Sequence, residues 1–520
     1  NCTFVTKTRN AISKGAKRIL FYMNSDEMIT LPNFIESSQV ATISKIDGQW
    51  LINQIKINKN FTLNFPSNLH SFVDSPLGGF VSNFSQYGPS NDLLNLQPNF
   101  LAVGGDIIST VPRNLGNFSS MSGTSMSTPQ LAGIAALVKS VRGKNLGTLK
   151  LKRILSTTAQ QVHTAPGEKD VETVVHQGGG LVDAYCAAMS QSVLSTDSLS
   201  LNDIPNFKSK HTFDIVNEGN RAYTFKVGHI PAATVPTFTL NSTRAAPHVV
   251  ALPGSPKAAV KIDQPMFFLG PKATQTIQVT FQAPSGIDPR LLAVYSGYIS
   301  VVSDDGECEK HTLPYYGIAG SMKNQKIFDL GGDVDEFKNF KLPRLTDEAR
   351  QPRPDGVFKF ENGGEVVVRY RLAFGSQYVR TDLVPGNATL PPPIGSHHEV
   401  FKSPVEIPSN FTFSKKVFRG VPVLWMLPDS NSTYVGRTGM SDTIVVHWNG
   451  IGVPLKNAAK YVPVPSGSYK ILIRGLRNRG NPYDDDDYDF WLSPKITIAR
   501  SAEPKLAHRT NSSEAKPIQS

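Results

Sequence analysis

Gly123-Thr124-Ser125-Met126-Ser127-Thr128-Pro129 runs directly into Gln130-Leu131-Ala132-Gly133-Ile134-Ala135-Ala136-Leu137-Val138-Lys139. A tight Gly-Thr-Ser turn leads into an apolar, small-residue stretch that predicts a helix over about 125–140. The pattern places Pro129 in the first helical turn, where a missing N–H costs nothing. Ser125 then stands at the positive end of the helix dipole, with its backbone N–H free to bond a developing oxyanion. Ala132, Gly133, Ala135 and Ala136 keep one helix face small enough to press on a neighbour. A serine in such a turn is by itself more often a helix cap. Seven specific positions followed by this helix outweigh that simpler reading.

The stretch resembles the nucleophile motif of the subtilisin-like serine proteases (subtilases, peptidase family S8). The resemblance implies that Ser125 attacks the peptide carbonyl and that its N–H helps hold the oxyanion. It extends outward on both sides. Ser82-Asn83-Phe84-Ser85-Gln86-Tyr87-Gly88-Pro89 is similar to the family's Ser-x-Phe-Ser-Ser-x-Gly-Pro turn. Gln97-Pro98-Asn99-Phe100-Leu101-Ala102-Val103-Gly104 stands where the family commonly has Lys-Pro-Asp-x-x-Ala-Pro-Gly, and Ile107 to Pro112 continue the match. Asn99 replaces the usual Asp, and Val103 replaces the usual Pro, which frees φ in a turn normally stiffened. Leu149, Leu151, Ile154 and Leu155 predict a second amphipathic helix, ending at Thr157-Thr158-Ala159. Gly178-Gly179-Gly180-Leu181-Val182-Asp183-Ala184 resembles the glycine-rich lead-in to the last catalytic-domain helix.

Serine hydrolysis needs a hydroxyl, an imidazole base and an orienting carboxylate. The family carries the last two in Asp-Ser/Thr-Gly and His-Gly-Thr motifs, and neither occurs in these 520 residues. His70, His163 and His176 lack the right neighbours and read as structural or surface residues. Only Ser125 carries over as a catalytic residue. The expectation is an N-terminally truncated chain, inactive alone, whose catalytic Asp, His and oxyanion Asn lie outside it. The competing expectation is a non-catalytic, subtilase-derived binding scaffold.

The resemblance implies a multidomain chain. Residues 1–62 resemble the later half of a protease-associated (PA) domain, with a helix at Phe4 to Ile12, a buried strand at Ile19 to Tyr22, and a helix capped by Asp47. Phe61, Leu63 and Phe65 read as a further strand. Residues 63–192 resemble the C-terminal part of the α/β catalytic domain. Residues 193–325 alternate apolar and polar positions between turn signals, as in Ile277, Val279 and Phe281, and resemble an all-β Fn3-like sandwich. Residues 326–500, with Val366, Val368, Tyr370, Leu372 and Phe374 alternating, predict a second β-sandwich. Residues 501–520 read as a disordered tail.

Net charge is +11, with Lys and Arg scattered rather than striped, which argues for a solvated surface and against a nucleic-acid partner. No apolar run is long enough for a membrane span. Protein or peptide substrates are the expected partners, and no cofactor motif occurs. Asp484-Asp485-Asp486-Asp487 is a candidate Ca²⁺ loop, or more simply a solvated turn. Three cysteines do not make a disulfide framework. Nine Asn-x-Ser/Thr sequons fit a secreted, glycosylated protein.

Overall fold

The computed structural model describes residues 4–23, 39–64, 78–90, 95–115, 117–240, 249–304, 306–329, 342–346, 356–360, 364–391, 416–439, 442–454 and 461–500. His70, Phe65 and the tail 501–520 lie outside the described residues.

Helix α1 (Phe4–Ser13), strand β1 (Arg18–Tyr22), strand β2 (Gln39–Ile43) and helix α2 (Lys45–Ile57) come first, with β1 and β2 paired in parallel. Three sequence expectations need correction here. Ser44, not Asp47, caps α2, its hydroxyl accepting the Asp47 N–H at 3.0 Å. Serine fits because a cap side chain must reach forward to a free N–H two or three residues on. Strand β1 is only half-buried rather than a core strand. Residues 61–64 form no strand.

Strands β3 (Ile107–Thr110) and β4 (Phe118–Met121) make an antiparallel hairpin that delivers the chain to helix α3 (Thr124–Arg142). Helices α4 (Thr148–Thr157), α5 (Val174–Gln177) and α6 (Ala184–Met189) follow. Leu131, Ile134 and Val138, at helical spacing, turn one face of α3 onto Ile154 and Leu155 of α4 and Ala187 and Ala188 of α6. The small-residue face is the opposite one. Ala132, Gly133 and Ala136 are exposed, and a Cβ added to Gly133 would meet nothing within 4 Å. The expected press of this face on a neighbour is therefore absent among the described residues. Arg142 fastens the end of α3 to α6. Its Nε donates to the Ala187 carbonyl at 2.7 Å and a terminal nitrogen to the Ser190 carbonyl at 2.5 Å.

The next region is a β-sandwich. Strands β5 (Ser192–Leu194), β6 (Leu199–Asp203), β7 (Lys210–Asn217), β8 (Tyr223–Val235), β9 (Ala259–Ile262), β10 (Met266–Leu269), β11 (Thr274–Gln282), β12 (Ala293–Ser303) and β13 (Lys310–Ala319) form two sheets. Their orders are β10-β8-β12-β13-β6 and β5-β7-β11-β9. Ile277, Val279 and Phe281 point inward with Phe225, Tyr295 and Ile299, as the period-2 alternation predicts.

Beyond it a three-stranded and an eight-stranded sheet share one core. Val366, Val368 and Trp448 from the first meet Leu383, Ile471 and Ile473 from the second. Among the described residues no α-helix follows Met189. Of the four aspartates near the end of this region, Asp486 and Asp487 are ion-paired and Asp484 and Asp485 accept backbone N–H groups. Asp485 accepts the Arg419 N–H at 2.9 Å, Asp486 pairs with Arg419 at 2.7 Å, and Asp487 is buried against Lys323 at 2.7 Å. Asp484 caps a short turn through the Asp486 N–H. No group of three or more potential metal ligands occurs among the described residues.

A polar seam joins the helical region to the sandwich. The Val174 N–H donates to Ser296 Oγ at 3.1 Å, Tyr298 OH donates to the Gly178 carbonyl at 2.7 Å, and Gln161 Nε2 donates to Thr312 Oγ1 at 2.6 Å. A disulfide between Cys186 of α6 and Cys308 lies in the same seam, which the cysteine count had not revealed. Beside it Glu309 accepts the Gln191 N–H at 2.6 Å and the Ser192 hydroxyl. Burial alone would raise the Glu309 pKa, but the neighbouring His311 and hydrogen bonds from Ser192 and Gln191 outweigh it and hold the carboxyl below its usual range. A depressed carboxyl stabilises the fold above its unfolded pKa of about 4.3 and loses that contribution as pH falls through the folded value. Glu309→Gln should therefore be less stable at pH 7, and should lose less stability than the parent between about pH 4.5 and 3. Chemical denaturation across that range measures both.

Candidate nucleophile site

Hairpin β3–β4 and helix α3 meet at Gly123, the residue before the helix. Gly123 takes an extended backbone (φ 163°, ψ 158°) and caps the helix without a side chain. Its carbonyl accepts the Met126 N–H at 2.9 Å and the Ser127 N–H at 3.4 Å. The N–H groups of Thr124 and Ser125 thus have no acceptor within the helix. Ser125 is exposed at this end, beside the positive end of the α3 dipole. One residue thus presents both an exposed hydroxyl and a backbone N–H that is not bonded within the helix. The side chain is neither in a strand nor covered, and either placement would have excluded a nucleophilic role.

Pro129 requires a correction. With α3 beginning at Thr124, it lies in the second turn, not the first. The i→i−4 hydrogen bond that residue 129 would donate to the Ser125 carbonyl cannot form. Thr128 partly makes up the turn by donating its hydroxyl to the Thr124 carbonyl at 2.9 Å.

The segment 96–106 wraps the other side of the turn. Gly123 N–H donates to the Gly104 carbonyl at 2.8 Å. Val103 N–H donates to Gln130 Oε1 at 2.7 Å, and Asp106 and Ser122 bond reciprocally. Asn99, in place of the usual Asp, donates to the Leu96 carbonyl at 2.5 Å, while its own carbonyl accepts the Gly179 N–H at 2.9 Å. An amide can donate to a carbonyl where a carboxylate cannot, so the departure is built into the loop. Gly178, Gly179 and Gly180 thread between this segment and the end of α4. A Cβ on Gly178 would fall 2.3 Å from the Asn99 carbonyl, and one on Gly179 would fall 2.0 Å from the Ser156 carbonyl. The glycine triplet is a close-packing device that connects the nucleophile's surroundings to the seam with the sandwich.

The histidines are placed as follows. His163 is exposed in a short bridge with Val171. His176 is buried, stacked flat on Tyr87 at 3.8 Å, with Nδ1 3.6 Å from Glu172. Burial, and then the Glu172 charge, push the Tyr87 phenol well above its usual pKa. A different trio has the composition of a triad. His311 Nε2 lies 2.7 Å from Ser192 Oγ, which in turn donates to Glu309. Because the hydroxyl's proton goes to Glu309, His311 must donate its Nε2–H to the serine. The carboxylate engages the serine rather than His311 Nδ1, which has no partner among the described residues, and all three side chains are buried. A triad needs its carboxylate on the far imidazole nitrogen and its serine reachable by substrate, so this trio is structural.

Sequence reasoning missed Gln130, Asp106, Ser122 and the Cys186–Cys308 bridge. Only Gln130 left a trace, since Val103 in place of Pro announces a free N–H that wants an acceptor.

Comparison with known proteins agrees with this geometry. Residues 35–181 match the subtilase family and residues 199–316 match the Fn3-like domain. The family match takes in the second half of the segment read as PA-like. C5a peptidase of Streptococcus pyogenes serotype M1 is 27% identical over 350 residues, covering 62% of this chain and 27% of that protein. The PII-type proteinase of Lactococcus lactis subsp. cremoris is 24% identical over 354 residues, covering 63% and 18%. The minor extracellular protease Vpr of Bacillus subtilis is 28% identical over 233 residues, covering 43% and 28%. The chain spans 18% to 28% of the length of these relatives.

Proposed function

We propose that this chain, whose residues 35–181 match the subtilase family and whose residues 199–316 match an Fn3-like domain, bears the nucleophile of a secreted serine endopeptidase. Ser125 attacks the carbonyl carbon of a peptide bond. The alkoxide of the tetrahedral intermediate accepts the Ser125 N–H, and collapse expels the amine and leaves an acyl-enzyme on Ser125 that water hydrolyses. The observation that carries this reading is the exposed serine at the start of a 19-residue helix, with its own N–H unbonded within that helix. The general base and its carboxylate are not assigned to any residue of this sequence. The PA-like reading of residues 1–62 and the domain limits given above belong to the same proposal.

An extracellular location is supported by the Cys186–Cys308 bridge, since disulfides persist in oxidising compartments. The described sequons at Asn60, Asn83, Asn117, Asn387 and Asn431 are all exposed. Among the described residues no helix is long and apolar enough to cross a membrane.

Acyl-enzyme formation tests the mechanism. The protein purified from its native host, mixed with a chromogenic peptide ester, should release a burst of one leaving group per enzyme. Acid quenching should leave the acyl group on the Ser125 peptide. A linear release with no adduct would reject covalent catalysis and leave a scaffold role.

A further inference from the structure

Residues 103–106 bear on the nucleophile turn at successive points. Val103, where the resembled family has a proline, keeps an N–H and donates it to Gln130 Oε1 at 2.7 Å. Gln130 stands on α3 five residues after Ser125 and moves with the same helix. Gly104, the next residue, accepts the Gly123 N–H at 2.8 Å. It passes so close to the helix that a Cβ on it would fall 2.1 Å from Ser127 Oγ and 2.7 Å from the Gly123 carbonyl. Asp106, in the left-handed region at φ 52°, donates its N–H to Ser122 Oγ at 2.8 Å, and its carboxylate accepts the same hydroxyl at 3.2 Å.

We infer that Val103 and Gln130 are a coupled pair of positioning residues for the nucleophile. A proline ring would hold this turn by fixing φ. A valine leaves φ free but supplies a donor, and Gln130 uses that donor to tie the turn back to the helix that carries Ser125. The tie keeps the Gly104 carbonyl on the Gly123 N–H and so fixes the entry of the chain into α3. That entry sets the direction of the Ser125 hydroxyl and N–H. Neither residue touches the reacting atoms. The inference rests on Ser125 being the nucleophile and adds a requirement of its own: the valine and the glutamine work only together.

The test is a double-mutant cycle in the protein from its native host: Gln130→Leu, Val103→Pro and the double variant. Two readouts are taken, the rate of Ser125 acylation by a fluorophosphonate and the amide exchange of Gly104, Gly105 and Asp106. Loss of one hydrogen bond corresponds to a factor of about five. Gln130→Leu should therefore slow acylation about fivefold, speed the exchange, and lower kcat for a peptide with little change in KM. Adding Val103→Pro to it should return both readouts to within about twofold of the parent. A loss that proline does not rescue, or a Gln130→Leu variant that matches the parent, overturns the pairing. If no variant and no parent acylates, the reading of Ser125 fails instead. Exchange alone then decides the brace, unchanged exchange in Gln130→Leu overturning it and proline-rescued exchange supporting it.

Discussion

Ser125→Ala is expected to lower kcat for peptide hydrolysis by about 10⁵- to 10⁶-fold, with KM nearly unchanged. The hydroxyl supplies the covalent route, and without it the acyl-enzyme cannot form. What survives is the contribution of binding and of the backbone donors, on the order of 10³–10⁴ over water. The N–H of residue 125 remains in the variant, so this residue of activity should persist, whereas a change that disordered the start of α3 would remove it too. The exposed position of Ser125 makes the substitution structurally mild, and the melting temperature should hardly move. Equal hydrolysis by the variant and the parent would overturn the enzymatic reading.

Gly179→Ala is expected to be among the most destabilising single changes in the chain, by more than about 3 kcal/mol. The added methyl would lie 2.0 Å from the Ser156 carbonyl oxygen and 2.9 Å from Ser156 Oγ. Neither the backbone of α4 nor the Asn99 carbonyl that holds the Gly179 N–H can retreat without breaking the other. Gly133→Ala is the contrasting change, on the exposed face of α3 where a Cβ meets no neighbour. There the gain in helix propensity should stabilise the chain by about 0.5–1 kcal/mol. Denaturation of the two variants should move the midpoint in opposite directions. Midpoints displaced equally would show that the glycine triplet is not packed as described.

The two glycines also show what a sequence makes legible. Gly133 sits in a helical repeat of small residues, and its helix is readable from local pattern alone. The strands of the sandwich are readable for the same reason, because Ile277, Val279 and Phe281 alternate with polar neighbours. The role of Gly179 is not local. Its need for a missing side chain arises from Ser156, in helix α4. The same holds for Cys186 and Cys308, which are 122 residues apart, and for Asp486 and Asp487, whose charges are met by Arg419 and Lys323. Pro129 was placed one turn too early because Gly123 rather than Thr124 leaves the helix, and a helix boundary depends on backbone angles that composition does not specify. Around Ser125 itself the motif identified the candidate nucleophile. It did not reveal that Gln130, one position past Pro129, braces the facing loop. That contact spans 27 residues of chain.

The measurement that tests the central claim most directly is fluorophosphonate labelling of the protein from its native host, followed by peptide mapping. The account predicts one adduct, on the peptide carrying Gly123-Thr124-Ser125-Met126, and none in Ser125→Ala. An adduct on another serine, or active proteolysis by a protein that takes up no label, would contradict it.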